Sequence, residues 1–346
     1  MSPIRPICYV AMSGGVDSSV AAALLAKKYH ITGVFFKPWQ PNGFYCNWQQ
    51  DRLDAMRAAA KIGIPFKTWD FSCQYKSEVA QYMIEAYRHG ITPNPDVMCN
   101  KEIKFGLFMK KAIAEGADYI ATGHYARVRE NPKSKFQMLK AKDQNKDQTY
   151  FLWTLTQEQL KHVLFPIGDY TKPEVRKLAK KIGLPNHAKK DSQGVCFIGQ
   201  LDMHDFLTEY IKPLKGDIVC GGKIIGQHDG VSYYTIGQRH GLDIKDGGGP
   251  YYVARKNIEK NILYVSKFLM TNDEFRINDI NLIKQIKLPK NISVQIRYRS
   301  PKIPAFLSIR HSSFVIRTSR PAAAVTPGQS AVFYAGQEVL GGGIVQ

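Results

Sequence analysis

Acidic residues, closely spaced cysteines and long apolar runs are all scarce in this chain of 346 residues. Its 29 Asp and Glu residues face 48 Lys and Arg residues, which leaves a formal net charge of +19. No apolar run approaches the ~20 residues that a membrane-spanning helix needs. The first strand pattern also begins too soon after Met1 for a signal or transit peptide. The sequence therefore predicts a cytoplasmic protein without a membrane contact.

The six cysteines are widely scattered and include no Cys-x-x-Cys pair. This excludes the usual spacing of a zinc site and argues against a disulfide-stapled secreted fold, so we predict reduced thiols and no protein-held metal. The kinase-type loop Gly-x-x-x-x-Gly-Lys-Ser/Thr is absent, and no Gly-x-Gly-x-x-Gly stands between a strand and a helix. Neither of these two nucleotide-binding signatures applies.

Basic residues are concentrated toward the C-terminus. From Asn281 onward, nine Lys or Arg residues stand against one acidic residue, Glu338. Lys and Arg displace counterions from nucleic-acid phosphates, so this local asymmetry favours a nucleic-acid partner. A generally basic proteome is the alternative explanation of the charge.

A glycine turn follows the first apolar strand pattern. Residues 7–12 run directly into Ser-Gly-Gly-Val-Asp-Ser at 13–18, and a helix pattern follows. Two glycines at a strand-to-helix turn let the backbone approach an anion, and the N–H groups of the helix start supply donors. A turn that merely caps a helix would explain the glycines but not Asp17. We therefore predict a nucleotide-phosphate loop.

Strand and helix patterns alternate through the first half of the chain, which predicts an α/β fold with a doubly wound parallel sheet. The strands are predicted at 31–36, 66–71 and 118–122, and the helices at 51–61, 78–88, 101–115, 156–163 and 172–181. Beyond them, Gly-rich turns separate short strands. We predict a catalytic domain at 1–202, a small central domain at 203–270 and a C-terminal β-barrel at 271–346.

Two cysteines have unusual surroundings. Cys99 follows a proline in a loop that leads into a helix, whose N-terminus would stabilise a thiolate. Cys196 lies in a turn-rich stretch after a basic segment. Since either thiol could equally be a small buried apolar group, the residues alone leave both possibilities open.

Five motifs in a fixed order carry a resemblance to a known family. They are the loop at 13–18, Asn-Pro-Asp-x-x-Cys-Asn at 94–100, Ala-Thr-Gly-His-Tyr-Ala-Arg at 121–127, Lys-Asp-Gln-Thr-Tyr at 146–150 and Gly-Val-Cys-Phe-Ile-Gly at 194–199. Together they closely resemble the MnmA family of bacterial tRNA-specific 2-thiouridylases, which belongs to the PP-loop ATP pyrophosphatase superfamily and has mitochondrial relatives. The resemblance runs through nearly the whole chain.

The resemblance implies a tRNA sulfurtransferase. In that family ATP adenylates the C2 oxygen of wobble uridine 34, and a cysteine persulfide then delivers sulfur, giving 2-thiouridine, AMP and pyrophosphate. The resemblance implies that Cys196 carries the persulfide and that Cys99 is the nucleophile, proposed to pair with Cys196 in a disulfide. It also implies that Asp96 acts as a general acid or base. Adenylation makes chemical sense because a carbonyl oxygen is a poor leaving group and AMP is a good one.

The resemblance also implies binding residues. For ATP, with Mg²⁺ as the charge partner of the triphosphate, they are Ala11, Met12, Ser13, Gly14, Gly15, Val16, Asp17, Ser18, Phe36 and Gly123. For tRNA they are Asn94, Pro95, Asp96, His124, Lys146, Asp147, Gln148, Arg297, Tyr298 and Gln329. The expected partners are the anticodon stem-loop that presents U34 and a persulfide donor or relay protein. The chain departs from the family at Phe36, where methionine is frequent, and at Pro38-Trp39, where Asn-Trp is usual.

Three other interpretations stay open. A PP-loop ligase would activate an oxygen for amination of a tRNA or a small molecule and would need no pair of thiols. A tRNA-binding protein could keep the fold without catalysis. An iron–sulfur enzyme would use Cys99 and Cys196 as cluster ligands.

Overall fold

A computed structural model describes residues 5–41, 43–44, 47–132, 135–190 and 202–346. The helices are α1 (Val16–Leu25), α2 (Trp48–Ile62), α3 (Ser72–Tyr75), α4 (Gln81–Arg88), α5 (Pro95–Met98), α6 (Met109–Ala114), α7 (Gln157–Lys161), α8 (Lys172–Ile182) and α9 (Met203–Thr208). The strands of the first half are β1 (Ile7–Ala11), β2 (His30–Lys37), β3 (Phe66–Asp70), β4 (Tyr119–Ala121), β5 (Ala126–Asn131), β6 (Lys135–Lys140) and β7 (Val163–Leu164). Those of the second half are β8 (Gly216–Cys220), β9 (Lys223–His228), β10 (Tyr252–Asn257), β11 (Ile262–Ser266), β12 (Thr271–Leu282), β13 (Lys290–Gln295), β14 (Ile303–Arg310), β15 (Ser313–Ala323), β16 (Ser330–Ala335) and β17 (Glu338–Val345).

The N-terminal sheet has the order β3-β2-β1-β4-β7, and all of its pairings are parallel. Helices cover both faces, so β1 is apolar on both: Val10 packs with α1, α2 and α8, whereas Tyr9 packs in the core on the opposite face. The chain winds outward from β1 through β2 to β3 and returns to β4 on the other side. The predicted doubly wound sheet is confirmed, and its direction reverses between β1 and β4, where such folds bind ligands.

Several predicted helices differ in extent from the structure. The helix predicted at 78–88 begins six residues earlier, because α3 continues through a π-helical stretch, Lys76–Ala80, into α4. The helix predicted at 101–115 already begins at Pro95, because the Asn94 side chain accepts a hydrogen bond from the Val97 N–H and proline suits a first turn. From α5 it continues through a π-helical stretch, Cys99–Phe108, into α6. The helix predicted at 156–163 ends at Lys161, because the next apolar residues pair with β4 as the edge strand β7.

The C-terminal strands close into an antiparallel barrel, as predicted. Their order is β12-β15-β14-β13-β16-β17, and β12 also pairs with β17, which closes the ring. The hairpin of β5 and β6 was not among the elements predicted from the sequence. This hairpin extends the barrel sheet where Leu139 pairs with Glu338, so a part of the N-terminal half lies against the barrel.

A four-stranded sheet of order β10-β11-β8-β9 lies between these two parts in the sequence. Its pairing of β8 with β11 is parallel and the other two pairings are antiparallel. Among the described residues no helix is both long and apolar enough to cross a membrane.

Candidate functional site

The glycine turn lies at the carboxyl end of β1, where the sheet changes direction. Gly14 has a φ of +77°, and a Cβ there would lie 2.2 Å from the Asp51 carbonyl oxygen, so both backbone conformation and space require glycine. The Ser18 hydroxyl accepts a hydrogen bond from the Ser13 N–H at 3.2 Å and donates to the Gly15 carbonyl at 3.2 Å. The turn is therefore held in shape by hydrogen bonds within the chain itself.

Asn186 supports the turn from behind. Its side-chain amide donates to the Gly14 carbonyl and to the Ser19 hydroxyl, both at 2.9 Å. The Ser19 hydroxyl itself donates to the Gly15 carbonyl at 2.9 Å. The Ser19 side chain is buried, so its hydroxyl helps to hold the turn in shape.

Gly123 follows β4 and touches the start of α1. A Cβ at Gly123 would lie 2.6 Å from the Ser18 backbone nitrogen. The end of β4 and the helix N-terminus thus meet as closely as two backbones can. The predicted ATP residues at 11–18 and Gly123 are brought together at one edge of the sheet.

Asp17 is held by two residues that the sequence analysis did not assign to the site. Lys172, at the start of α8, places its Nζ 2.8 Å from each carboxylate oxygen. The Tyr125 hydroxyl donates to Oδ1 at 2.9 Å. Both partners are buried, so Asp17 is a fixed, charge-compensated group in the phosphate loop. No local pattern could have revealed Lys172, which is 155 residues away in the sequence.

The ring of Phe36 is packed in the core. Its centroid lies 4.8 Å from that of Phe108 and 5.3 Å from that of Phe71, and the residue is 5% exposed. The Phe36 ring therefore has little surface to offer, and the ATP contact that the resemblance implies for this residue stays a prediction.

The helix that carries Cys99 packs on the strands that flank β1. Phe108 contacts Phe36 near the end of β2, and the Phe105 ring lies 5.9 Å from that of His124, just after β4. The predicted nucleophile thus belongs to a helix at the same edge of the sheet as the phosphate loop. Cys99 itself is fully buried.

Hydrogen bonds from distant parts of the chain hold residues 92–93, which precede this helix, in place. The Gln329 side-chain amide donates to the backbone carbonyls of Thr92 at 2.9 Å and Pro93 at 3.2 Å. The Thr92 N–H donates to the Pro327 carbonyl at 3.1 Å, and the Thr92 hydroxyl lies 3.2 Å from that of Thr235. Gln329, predicted from the resemblance to contact tRNA, therefore positions the segment that leads into Asn94 and the helix start at Pro95.

His124 has little surface to offer to RNA. The residue is 8% exposed, and its Nδ1 lies 2.8 Å from the Thr122 hydroxyl. Burial, helped by the positive charge of Lys104, holds the pKa of His124 well below its ordinary value of 6.5. A neutral, buried imidazole does not grip a phosphate, so this placement does not support the predicted tRNA contact.

The motif at 146–148 forms a turn beside β4. Asp147 accepts hydrogen bonds from the Ala141 N–H and the Thr149 hydroxyl, both at 2.9 Å, and burial raises its pKa. The Gln148 side-chain oxygen accepts from the Tyr125 N–H at 2.9 Å. Two of the three predicted tRNA residues therefore also build the turn.

Arg297 and Tyr298 lie where the barrel meets other parts of the chain. The Arg297 guanidinium donates to the Ile236 carbonyl at 2.6 Å and to the Thr326 hydroxyl at 2.8 Å, and burial lowers its pKa. The Tyr298 ring lies 4.4 Å from that of Phe151, just after the 146–148 turn. The predicted tRNA residues of the barrel thus lie next to those of the N-terminal half.

Cys196 lies outside the described residues, and so does the segment around it. Lys189, shortly before that segment, forms ion pairs of 2.7 Å with Asp51 and 2.6 Å with Asp54, next to the phosphate loop. After that segment, α9 begins with Asp202 as its N-cap. The ring centroid of Phe206 on α9 lies 6.2 Å from that of Trp39. Both flanks of the Cys196 segment are therefore fixed near the carboxyl edge of the sheet.

Comparisons with known proteins cover nearly the whole chain. Three family models match in succession: the tRNA methyl transferase HUP domain over 7–200, the tRNA methyl transferase PRC-barrel domain over 204–267 and the aminomethyltransferase beta-barrel domain over 272–345. The tRNA-specific 2-thiouridylase MnmA of Bacillus licheniformis is 45% identical over 350 residues, which cover 97% of this chain and 94% of that protein. The tRNA-specific 2-thiouridylase MnmA of Lysinibacillus sphaericus is 44% identical over 357 residues, with 99% and 94% covered.

Solved structures match less well. The U34-tRNA thiolase NcsA from Methanococcus maripaludis is 18% identical, with 60% of this chain and 66% of that chain covered at a TM-score of 0.37. A likeness at this level carries no conclusion about the present chain.

Proposed function

The chain belongs to the family of the tRNA-specific 2-thiouridylases MnmA, and from this premise we propose that it replaces the C2 oxygen of uridine 34 in tRNA by sulfur at the expense of ATP. The resemblance drawn from the five motifs is thereby confirmed. The observation that carries the proposal is the meeting of a preformed phosphate loop and the Cys99 helix at one edge of the sheet.

We propose that Ala11 to Ser18 and Gly123 bind ATP. The N–H groups at the start of α1 face the phosphates, while the buried side chains of Met12 and Val16 anchor the loop to the core. The uracil C2 oxygen attacks the α-phosphorus of ATP, and pyrophosphate leaves. The C2 oxygen now carries AMP, which is a good leaving group.

Mg²⁺ is proposed as the counter-ion of the triphosphate. Asp17 is the carboxylate of the phosphate loop, but both of its oxygens accept hydrogen bonds from Lys172. This donor set fits a magnesium ion that is held chiefly by phosphate oxygens and water. When bound, the ion would neutralise charge on the phosphates.

Sulfur transfer is proposed to use both cysteines. The terminal sulfur of a Cys196 persulfide attacks C2 and AMP leaves. The Cys99 thiolate then attacks the Cys196 sulfur of the adduct, which releases the thiolated base and forms a disulfide. An external thiol donor must reduce this disulfide, and a persulfide donor or relay protein must reload Cys196. Asp96 is the proposed acid or base.

We propose three domains with the boundaries predicted above, at 1–202, 203–270 and 271–346. Asn94, Pro95 and Asp96 would contact the extruded uridine, and the turn at 146–148 together with Tyr298 would contact the anticodon stem-loop. An anticodon loop suits this task because its bases are already unpaired. The excess of basic residues from Asn281 onward adds attraction for phosphates.

The test is a reconstituted reaction with ATP, Mg²⁺, a persulfide-generating system and unmodified tRNA that carries U34, followed by nucleoside mass spectrometry. We expect 2-thiouridine that depends on ATP and is lost in Cys99→Ser and Cys196→Ser. Cys73→Ser is the matched control, because Cys73 is an exposed thiol on α3 that belongs to none of the five motifs. Release of AMP without sulfur in the product would point to an amination ligase instead.

A further inference from the structure

The phosphate loop and the 146–148 turn are connected by two separate side chains. The first is Tyr125, which is 2% exposed. Its backbone is bonded twice to Gln148: the Tyr125 N–H donates to the Gln148 side-chain oxygen, and the Gln148 N–H donates to the Tyr125 carbonyl, both at 2.9 Å. Its hydroxyl donates to Asp17 at 2.9 Å. One residue thus joins the turn to the loop.

The second connection is Lys172. Its backbone N–H donates to the Asp143 carboxylate at 2.9 Å, and its Nζ lies 2.8 Å from both oxygens of Asp17. The other oxygen of Asp143 accepts from the N–H groups of Asn145 at 3.0 Å and Lys146 at 3.2 Å, which sets the shape of the turn. Displacement of the turn would therefore displace Lys172, and Asp17 with it.

Asp17 is the group on which both connections converge, and its charge matters for ATP. A bare carboxylate in a phosphate loop repels a triphosphate, and this repulsion is strong where water is partly excluded. An ammonium group held against both oxygens offsets that charge. The extent to which this ammonium group offsets the Asp17 charge depends on the position of Lys172. That position depends in turn on Asp143, which bonds the Lys172 backbone and shapes the turn.

We propose that Lys172 and Tyr125 are positioning residues that couple RNA binding at the 143–148 turn to ATP binding in the phosphate loop. The inference rests on the proposed function, in which the turn contacts tRNA and the loop contacts ATP. Neither residue is assigned a contact with the reacting atoms. Because coupling between two binding equilibria is reciprocal, ATP also strengthens RNA binding by the same factor.

The test measures binding rather than turnover. Calorimetry gives the Kd of a non-hydrolysable ATP analogue with and without an unmodified anticodon stem-loop RNA, and the ratio of the two values is the coupling factor. In Lys172→Met we expect the Kd without RNA to rise about tenfold or more, since the Asp17 carboxylate loses its compensating charge and repels the triphosphate. In Lys172→Met and in Tyr125→Phe the coupling factor should fall toward one. Lys172→Arg, which keeps a charged donor for the carboxylate, should recover most of the affinity.

Lys177→Met and Tyr119→Phe are the matched controls. Lys177 is exposed on the same helix, α8, and Tyr119 lies on β4, so each variant makes the same chemical change outside the network. Both controls should bind like the wild type. If Lys172→Met fails to fold, Tyr125→Phe, which removes a single oxygen atom, decides the question.

The proposal is overturned if Tyr125→Phe keeps the wild-type coupling factor, or if the wild type shows no coupling at all. These outcomes are independent of thiolation. A wild type that couples the two ligands but makes no 2-thiouridine would refute the proposed function and leave the coupling intact. A wild type that makes 2-thiouridine without coupling would support the proposed function and refute the coupling.

Discussion

Replacing Gly328 by alanine should disturb the segment that precedes the Cys99 helix. Gly328 has a φ of +90°, and a Cβ there would lie 2.3 Å from Ile91 Cγ2 and 2.8 Å from the Thr92 carbonyl oxygen. The segment at 91–92 leads directly into the proposed uridine-binding residues. Alanine at 328 therefore has to push this segment away or unseat the barrel turn.

The cost has two parts. A non-glycine residue with positive φ loses about 1–2 kcal/mol, and overpacking at a filled contact costs about 1–3 kcal/mol. Gly336→Ala is the matched control, because Gly336 also has a positive φ, +60°, but a Cβ there would meet nothing within 4 Å. Gly328→Ala should therefore destabilise the protein by about 1–3 kcal/mol more than Gly336→Ala.

Urea unfolding of both variants measures this difference. A second measurement follows alkylation of Cys99 by peptide mass spectrometry, because the thiol is fully buried and should react faster once the loop before its helix is displaced. We expect faster alkylation in Gly328→Ala alone. Equal losses of stability and equal alkylation rates in the two variants would refute the argument that the barrel positions this loop.

Three further predictions follow from the same contacts. Gln329→Leu removes two hydrogen bonds to the Thr92 and Pro93 carbonyls and should speed the alkylation of Cys99 several-fold. Gln337 is exposed on the same barrel, so Gln337→Leu should leave the alkylation rate unchanged. Equal rates in the two variants would contradict a positioning role for Gln329. The folded state holds the pKa of His124 below 6.5, so the unfolded chain takes up a proton at a higher pH than the folded protein does. The free energy of unfolding should therefore fall as the pH drops below about 6.5, by at most about 1.4 kcal/mol per pH unit. Urea unfolding of His124→Gln at several pH values should show a smaller fall. Burial lowers the pKa of Lys302 to about 7, so this side chain should make stability rise between about pH 7 and its unfolded pKa of 10.5, and Lys302→Met should flatten that rise in the same assay.

Local chemistry made the phosphate loop and the parallel sheet predictable. The glycines at 14 and 15, the apolar run before them and the helix pattern after them are consecutive in the sequence, so their physical reasons are local. Asn94 and Pro95 in the same way contain the signal for a helix start, although the prediction placed the helix six residues too late. The short edge strand β7 was not predicted, because two apolar residues next to a helix are too few to show the alternation that indicates a strand.

The sequence by itself determined the order of the parts, the fold class of the N-terminal sheet and the C-terminal barrel and, through motifs, the family. Only the tertiary structure decided the environments of the site residues: it paired Asp17 with Lys172 across 155 residues and Gln329 with Thr92 across 237, and it buried His124. A local pattern records which backbone conformation a segment prefers, but a side chain's partners depend on how distant segments pack. For this reason Gln329, which the resemblance assigned to tRNA, instead bonds the backbone before the Cys99 helix. Lys172, which belongs to no motif, holds the carboxylate of Asp17.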